Sequence, residues 1–205
     1  LSYPEDSAGR LMNTDVITVR ADVTDAESID RAFTEIEAEL GPVEVVVANA
    51  GITRDTLLMR MSEADFDTVM NTNMKSVFNM TKAVMRTMLK QRSGSIVNII
   101  AQIYRGFPGM AHTGAARAGV DNLTKSLAVE LGPLGIRTVA VAPTLIETPG
   151  IEAGREAFRA AGLGDILDSY AEKLPLGRVG VPDDVARAVL FAVSDMAIFM
   201  SGSTL

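Results

Sequence analysis

The chain has 205 residues, 47% of them hydrophobic and 22% charged, so it is long enough for one full core of ordinary globular composition. A formal net charge of −7 argues against nucleic acid and anionic membranes as partners. The sequence has no cysteine, which excludes disulfides. Because it also has a single histidine, His112, we predict no metal site. No apolar run approaches the roughly 18 residues of a membrane span and the first ten residues do not resemble a signal peptide, so we expect a cytoplasmic protein.

The N-terminal part alternates β-branched runs with an amphipathic helix. Residues 16–21 predict a strand, and Thr24 is expected to cap the next helix, with Glu27 completing a capping box. The apolar positions of this helix recur at helical spacing: Ile29, Ala32, Phe33, Ile36 and Leu40. Residues 43–48 form a near-continuous apolar run, which is typical of a parallel strand buried on both faces.

The alternation continues to the end of the chain. A long helix is expected over about 63–91, with Ser62 as its cap. The later elements are a strand at 95–101, a helix at 115–131, a strand at 136–142, a helix at 156–173 broken at Gly162 and Gly164, and a helix at 182–193. Strands separated by helices of this length imply βαβ units. The prediction is therefore one α/β domain over residues 1–205, a doubly wound parallel sheet of the Rossmann type.

Candidate functional residues follow the predicted strands. Asp22, Asn49, Ala101 and Pro143 come directly after the first, second, third and fourth strands. In a sheet of this type, ligands bind at the carboxyl ends of the strands, near a topological switch point. The four positions therefore predict a common binding edge.

Residues 48–66, ANAGITRDTLLMRMSEADF, resemble the 3-oxoacyl-(acyl carrier protein) reductases of the short-chain dehydrogenase/reductase family. The resemblance runs from about residue 16 to the C-terminus. It implies that Asn49, Ala50 and Gly51 keep the backbone close to an NADP or NAD cofactor. Gly51 permits close approach, and the Asn49 amide could tie neighbouring strand ends together. The alternative is an ordinary strand-to-loop turn.

Further cofactor contacts are implied at both ends of the dinucleotide. Asp22 and Val23 match the position that holds the adenine ring, although Asp22 could instead help Thr24 to cap the helix. The positions that match the nicotinamide-binding loop are Pro143, Ile146 and Thr148. Thr144 departs from the glycine that is usual in this loop.

The catalytic positions depart further from the family. Its chemistry uses a serine, a tyrosine and a lysine, and the matching positions hold Ala101, Thr113 and Arg117. Thr113 cannot replace a phenol, because a phenol titrates near pKa ~10 and can be tuned downwards whereas an aliphatic alcohol cannot. Arg117 keeps a positive charge that could contact the ribose, with different geometry. Asn73 matches the remaining family residue, which breaks a helix locally so that a carbonyl holds a relay water.

Residues 112–130 resemble the peroxisomal trans-2-enoyl-CoA reductases and, less closely, the 2,4-dienoyl-CoA reductases. Both groups lack the tyrosine at the usual place. In the second group a tyrosine of the preceding loop acts instead, so Tyr104 is a candidate proton donor and His112 is another. Tyr104 could equally be a surface aromatic, and His112 a residue of the helix entry or of an interface.

A glycine-rich turn for a pyrophosphate is not found before residue 22. Family members carry a βαβ unit of roughly 30 residues before this point. We therefore expect the chain to be incomplete at both ends, lacking the first βαβ unit and the last strand.

The resemblance implies a reductase that transfers a hydride between NADPH or NADH and an acyl thioester, 3-oxoacyl or 2-enoyl, carried by a carrier protein or CoA. The alternative is a catalytically silent Rossmann domain that binds a partner or oligomerises. A homotetramer or dimer is expected through the helices at 63–91 and 115–131, because their apolar residues exceed one stripe: Val69, Met74, Val77, Phe78, Met80, Val84 and Met88. Arg92, beside Lys90, matches a family residue that meets acidic carrier proteins, although a helix C-terminus by itself favours cations.

Overall fold

The computed structural model describes residues 17–102, 106–160 and 166–205. At its centre is a parallel sheet of three strands, β1 (Val45–Ala48), β2 (Gly94–Ile99) and β3 (Ile136–Val141), in the order β1-β2-β3. The α-helices of the described residues are α1 (Ala26–Leu40), α2 (Glu63–Met70), α3 (Ser76–Gln91), α4 (Ala111–Leu131), α5 (Pro149–Ala160), α6 (Ile166–Ala171) and α7 (Pro182–Val193). This is the predicted Rossmann-type α/β fold.

The C-terminal residues begin a further parallel strand beside β3. Ala140 pairs with Thr204, and the Ala140 N–H donates to the Ser203 carbonyl at 2.9 Å. The Leu205 N–H donates a hydrogen bond to the Ala140 carbonyl, also at 2.9 Å. These residues therefore lie beside β3 at the edge of the sheet.

Helices cover the two faces of the sheet unequally. On one face α3 and α4 close a core in which Val84, Met88 and Leu131 pack against Val46, Ile96 and Ile136. On the other face α7 packs against β2 and β3 through Ala192. Val45 and Val47 of β1 are 42% and 38% exposed on that second face. The prediction that this strand is buried on both faces is wrong, because α7 reaches only the other two strands.

The segment 17–21 is not a strand, contrary to the prediction. A strand needs a neighbour that shares its backbone hydrogen bonds, and no described strand lies beside this segment. The cap of α1 is also one residue later than predicted. Asp25, not Thr24, caps the helix by accepting the Glu27 N–H at 3.0 Å.

The predicted long helix is continuous from Glu63 to Gln91 but contains a π-helical turn over Asn71–Lys75. Ser62 caps it, as predicted, by accepting the Asp65 N–H. A π turn inserts an extra residue and is often found at functional sites, and here it carries the local break expected at Asn73. None of the described helices is long and apolar enough to cross a membrane.

The turn between α4 and β3 depends on Gly135, which has φ = 84°. A Cβ at this position would overlap the carbonyl oxygen of Arg92, the left-handed residue that ends α3. Gly132 lies in the same turn with φ = −54°, and a Cβ there would meet no atom within 4 Å. Substitutions at the two glycines can therefore be compared: at Gly135 an added Cβ is strained and overlaps backbone, whereas at Gly132 it lies in open space.

We expect Gly135→Ala to lower the free energy of unfolding by about 2 kcal/mol or more, since the left-handed conformation alone costs a residue with a Cβ roughly 1–2 kcal/mol and the overlap adds to it. Gly132→Ala should change it by less than about 1 kcal/mol. Urea unfolding of both variants beside the parent measures the difference. Equal effects of the two substitutions would show that the Gly135 backbone geometry is not required.

Candidate active site

A pocket of about 780 Å³ opens at the carboxyl ends of the three strands. The loop after β1 contributes Gly51 and Arg54, and the end of β2 contributes Ala101. Thr113 and Arg117 face the pocket from α4. The loop after β3 and the helices α5 and α6 complete its wall. The pocket thus lies at the binding edge that the sequence predicts.

Asn73 fixes the loop after β1. Its side chain is fully buried, and the π turn directs the carboxamide at the peptide of Ile52. Oδ1 accepts the Ile52 N–H at 2.8 Å, and Nδ2 donates to the Ile52 carbonyl at 2.9 Å. Asn49, expected to tie strand ends through its amide, is exposed and makes no such side-chain bond to the described residues. Asn73 instead ties the helix to the loop after β1.

Arg117 lies against the backbone of Gly51. Its Nη1 donates to the Ile99 carbonyl at 2.7 Å, and burial lowers the pKa of the guanidinium. A Cβ on Gly51 would come within 2.5 Å of Arg117 Nη2, so a glycine is needed for this approach. The Arg117 Nε is buried without a hydrogen-bond partner among the described residues. The residue expected at the lysine position of the family is therefore a cation anchored to the end of β2.

Thr113 and His112 stand at the first turn of α4, which begins four residues earlier than predicted. Thr113 is 6% exposed and His112 is fully buried behind it. The His112 ring bonds on both sides: Nε2 lies 3.0 Å from the Arg54 carbonyl oxygen, and Nδ1 accepts the Thr113 N–H at 2.7 Å. The Thr113 hydroxyl oxygen is 3.2 Å from the same Nδ1.

Asp55 places a carboxylate close to this imidazole. Burial raises the pKa of Asp55 to about 6, and a positive charge on His112 acts in the opposite direction. Its Oδ1 is buried without a hydrogen-bond partner among the described residues. The loop after β1 therefore brings an ionisable carboxyl group, unstabilised by hydrogen bonds at Oδ1, to the N-terminus of α4.

The outer wall of the pocket is apolar. Phe107, Ile151 and Tyr170 line it, and Leu145 is 7% exposed beneath them. The Phe107 ring packs edge-to-face on Tyr170 with centroids 5.9 Å apart. Sequence reasoning missed Tyr170. It also missed Arg54, which the printed sequence offers no signal to single out.

The predicted cofactor positions separate into two groups. Gly51, Pro143 and Thr148 line the pocket with Ala101, Thr113 and Arg117. Positions that do not line it include Asn49, Ala50, Asn73 and Ile146. Ile146 instead pairs with Gly180, which fixes the loop after β3 to the segment before α7. Tyr104 lies outside the described residues.

The residues expected to contact the adenine ring, Asp22 and Val23, lie just before α1. Asp22 Oδ1 accepts both the N–H and the hydroxyl of Thr24 at 2.8 Å, and these bonds lower the pKa of Asp22. The Asn79 amide donates to the Val23 carbonyl at 3.2 Å, which holds this segment on α3. Asp22 thus organises the turn that precedes the helix while remaining exposed. Among the described residues, no group of three or more histidine, aspartate and glutamate side chains could hold a metal ion.

Asp55→Asn should change how stability depends on pH. A pKa raised from 3.8 to about 6 means that the folded state retains a proton that the unfolded state releases, so the parent loses stability as pH rises across this window. Asparagine stays neutral, so the variant should lack this loss and be the more stable of the two above pH 6. Thermal unfolding of both proteins at several pH values between 4 and 7 measures it, with Asp67→Asn on the exposed face of α2 as control. Parallel profiles for parent and Asp55→Asn would contradict the assignment.

The comparisons with known proteins agree on one family. A family model described as enoyl-(acyl carrier protein) reductase matches residues 5–205. The 3-oxoacyl-[acyl-carrier-protein] reductase FabG of Thermotoga maritima is 43% identical over 185 residues, which are 89% of this chain and 72% of that protein. The enzyme of the same name from Escherichia coli is 42% identical over 184 residues, with 89% and 72% covered. A solved structure, that of gox2181, superposes with a TM-score of 0.83 at 35% identity and covers 91% of this chain and 72% of its own. The chain therefore belongs to the short-chain dehydrogenase/reductase family of oxidoreductases.

Proposed function

We propose that this protein is a cytoplasmic NAD(P)H-dependent reductase of acyl thioesters, with a 3-oxoacyl thioester as its first candidate substrate and a 2-enoyl thioester as its second. The observation that carries the proposal is the pocket itself. A partly buried cation, Arg117, and a hydroxyl, Thr113, face an apolar wall across one cavity at the carboxyl ends of the strands. The names of the relatives from Thermotoga maritima and Escherichia coli support the 3-oxoacyl substrate.

The residues present fit the nicotinamide half of a dinucleotide. Gly51 presents bare backbone to the pocket, and the Nε of Arg117 is buried without a partner in the described part of the chain. Arg117 would contact the nicotinamide ribose, and Pro143 and Thr148 would contact the carboxamide. Asp22 and Val23 would hold the adenine ring. When bound, the cofactor supplies a hydride.

The remaining surfaces of the pocket suit a thioester with an alkyl chain. The wall that includes Phe107, Ile151 and Tyr170 would bury apolar carbon, at about 25 cal/mol for each Å² removed from water. The substrate oxygen would lie towards Thr113 and Arg117, where the hydroxyl and the guanidinium can donate hydrogen bonds. Asn73 would position this edge through Ile52, and its helix break would serve the relay water expected from the family. Arg92 is exposed at the end of α3, where it could meet an acidic carrier protein.

The replacement of three family residues, by Ala101, Thr113 and Arg117, favours the alternative function, a catalytically silent domain. Ala101 offers no hydroxyl to polarise a carbonyl, and Thr113 offers an alcohol in place of a phenol. Either loss alone typically costs a factor of about 10²–10³ or more in rate. A weak reductase and a silent binding domain therefore differ in whether the remaining groups still move a proton and a hydride.

Restoring the family residues should separate these candidates. We expect the triple variant Ala101→Ser, Thr113→Tyr, Arg117→Lys to reduce a 3-oxoacyl thioester at least ~10²-fold faster than the parent, because the phenol and the serine hydroxyl regain their roles as a unit. NAD(P)H absorbance measures the rate for both proteins, with a 2-enoyl thioester as second substrate.

A parent as fast as the triple variant would show that these three positions are wrongly assigned. A parent that prefers the 2-enoyl substrate would favour carbon–carbon double-bond reduction. Absence of turnover and of NAD(P)H binding in both proteins would leave the silent domain as the function.

Self-association is a further part of the proposal. A groove of about 510 Å³ runs between the π turn and α4, lined by residues that include Met74, Phe78 and Leu123. Fewer apolar side chains are free for contact than the sequence suggests, since Val69, Val77, Val84 and Met88 are all at most 2% exposed in the core. Phe78 is 51% exposed at the groove, and Val129 of α4 is 78% exposed. These exposed residues on the two predicted helices support a homodimer or homotetramer built there.

Phe78→Glu should shift the protein to monomer, because a carboxylate buried in an apolar interface must lose its hydration. Light scattering at micromolar concentration measures the mass. Leu176→Glu is a matched control, since Leu176 is 83% exposed before α7, away from the groove. A parent that is already monomeric, or a control that dissociates equally, would exclude this interface.

A further inference from the structure

An aromatic cluster made of Phe107, Phe158 and Tyr170 forms part of the apolar wall of the pocket. The Phe107 ring meets Phe158 edge-to-face with centroids 6.0 Å apart, and it meets Tyr170 in the same way at 5.9 Å. Phe107 and Tyr170 line the cavity, whereas Phe158 does not line it and is 1% exposed. The Phe107 ring therefore separates the cavity from the core around Phe158.

The backbone holds Phe107 in place. The Met110 N–H donates to the Phe107 carbonyl at 3.2 Å, which closes a turn, and the Thr56 N–H donates to the Gly109 carbonyl at 2.9 Å. Gly109 has φ = 81°, in the left-handed region that glycine adopts at no steric cost. The turn is thus tied to the loop after β1, which also contributes Gly51 to the pocket. This backbone and the two edge-to-face contacts restrict the movement of the ring.

The space behind the ring is filled. Phe158 forms one apolar cluster with Leu145, which is 7% exposed, and side chains that include Leu174 and Val179 pack against this cluster. Protein interiors are close-packed, and extra carbon inserted into them forces side chains out of their preferred rotamers. An alkyl chain that has reached Phe107 therefore gains no further burial by growing longer.

The charged groups of the pocket lie away from this wall. Among the described residues, the charged side chains that line the cavity are Arg54, on the loop after β1, and Arg117 of α4. Phe107, Ile151 and Tyr170 carry between them a single polar side-chain atom, the Tyr170 hydroxyl oxygen. A cavity of about 780 Å³ suits one drug-sized ligand, and the nicotinamide half of the cofactor would occupy part of it. The volume left beside the wall suits a short alkyl chain.

We propose that Phe107 limits the length of the acyl chain that the site accepts, so that its substrates are short-chain acyl thioesters. The proposal rests on the reductase function proposed above and adds a specificity-determining residue to it. Burial of one methylene is equivalent to roughly a fourfold change in kcat/KM. The kcat/KM of successively longer substrates therefore rises at about this rate until the chain meets the ring, and then stops rising.

The first test varies the acyl chain and keeps the carrier constant. Its substrates are 3-oxobutanoyl, 3-oxohexanoyl, 3-oxooctanoyl and 3-oxododecanoyl pantetheine, or the matching 2-enoyl thioesters if the parent prefers them. In the parent we expect kcat/KM to reach its maximum at one of the two shorter chains and to fall for the two longer ones. Phe107→Ala opens the space up to Phe158, so it should move the maximum to the octanoyl chain or beyond. It should raise kcat/KM for the octanoyl substrate roughly tenfold or more.

Two control variants separate the shape of the wall from other effects of substitution. Tyr170→Phe removes the hydroxyl but keeps the ring, so the maximum should stay at the chain length of the parent. Phe199→Ala removes the same side chain from a fully exposed position outside the pocket and should also leave the maximum unchanged. If Phe107→Ala does not fold, Phe107→Leu decides the question by the same measurement, because leucine is shorter than phenylalanine but still covers the core.

The second test measures binding without turnover. Saturated acyl pantetheines lack the keto group and the double bond that would be reduced, so calorimetry in the presence of NADP gives their dissociation constants. These constants should fall as the chain lengthens, up to the same limit as in the rate measurements. In Phe107→Ala the limit should move to a longer chain.

The outcomes distinguish the chain-length limit from the reductase function. An active parent whose kcat/KM rises through the dodecanoyl chain, or whose maximum stays in place in Phe107→Ala, overturns the limit and leaves the reductase standing. A parent that reduces neither 3-oxoacyl nor 2-enoyl thioesters overturns the reductase. In that case, saturated chains whose binding limit moves in Phe107→Ala support the limit, and saturated chains that do not bind, or bind without such a shift, overturn it as well.

Discussion

The carboxamide of Asn73 holds the peptide of Ile52 through two hydrogen bonds, and the geometry of the whole pocket depends on this contact. The π turn makes it possible by turning a polar side chain inwards from the middle of a long helix. Removing the amide would leave two backbone groups unpaired in a half-buried position, at about 1–3 kcal/mol each. Gly51 precedes Ile52, and Arg117 lies beside it while bonding the Ile99 carbonyl at the end of β2. Asn73 thereby fixes the loop against which this guanidinium packs.

The sequence predicts best what is decided locally. Ser62 and Pro182 mark helix starts because caps and first-turn residues act within one turn, and each lies where expected. The helix break at Asn73 could also be predicted, since an asparagine inside an apolar helix indicates a break. That the segment 17–21 forms no strand could not be predicted, because a strand exists only beside a neighbouring strand and periodicity cannot show whether one is present. The start of α4 was missed as well, since Met110 caps it without any side-chain hydrogen bond.

In the candidate site, too, some positions could be predicted from the sequence and others are determined only by tertiary packing. Gly51, Ala101 and Pro143 lie together because parallel strands end at one edge, which follows from topology alone. Arg54 and Tyr170 reach the pocket only through the packing of a loop and a short helix against that edge, and no spacing in the chain encodes this. Asn49 was expected to tie strand ends through its amide and is exposed, whereas Asn73 is buried and ties the helix to the loop after β1. The π turn carries Asn73 in this buried position.

The anchoring of Arg117 limits what it can do for a neighbouring hydroxyl. In the family pattern a flexible lysine lowers the pKa of a phenol, so that one group both contacts the substrate and holds the charge. Here the guanidinium is fixed to the Ile99 carbonyl and lies against Gly51, and its planar geometry prevents it from adjusting as an ammonium group does. An aliphatic hydroxyl at position 113 would gain little from a nearby cation, because its own ionisation remains far from neutral pH. Arg117 would therefore serve contact with a ribose rather than the acidity of the group at position 113.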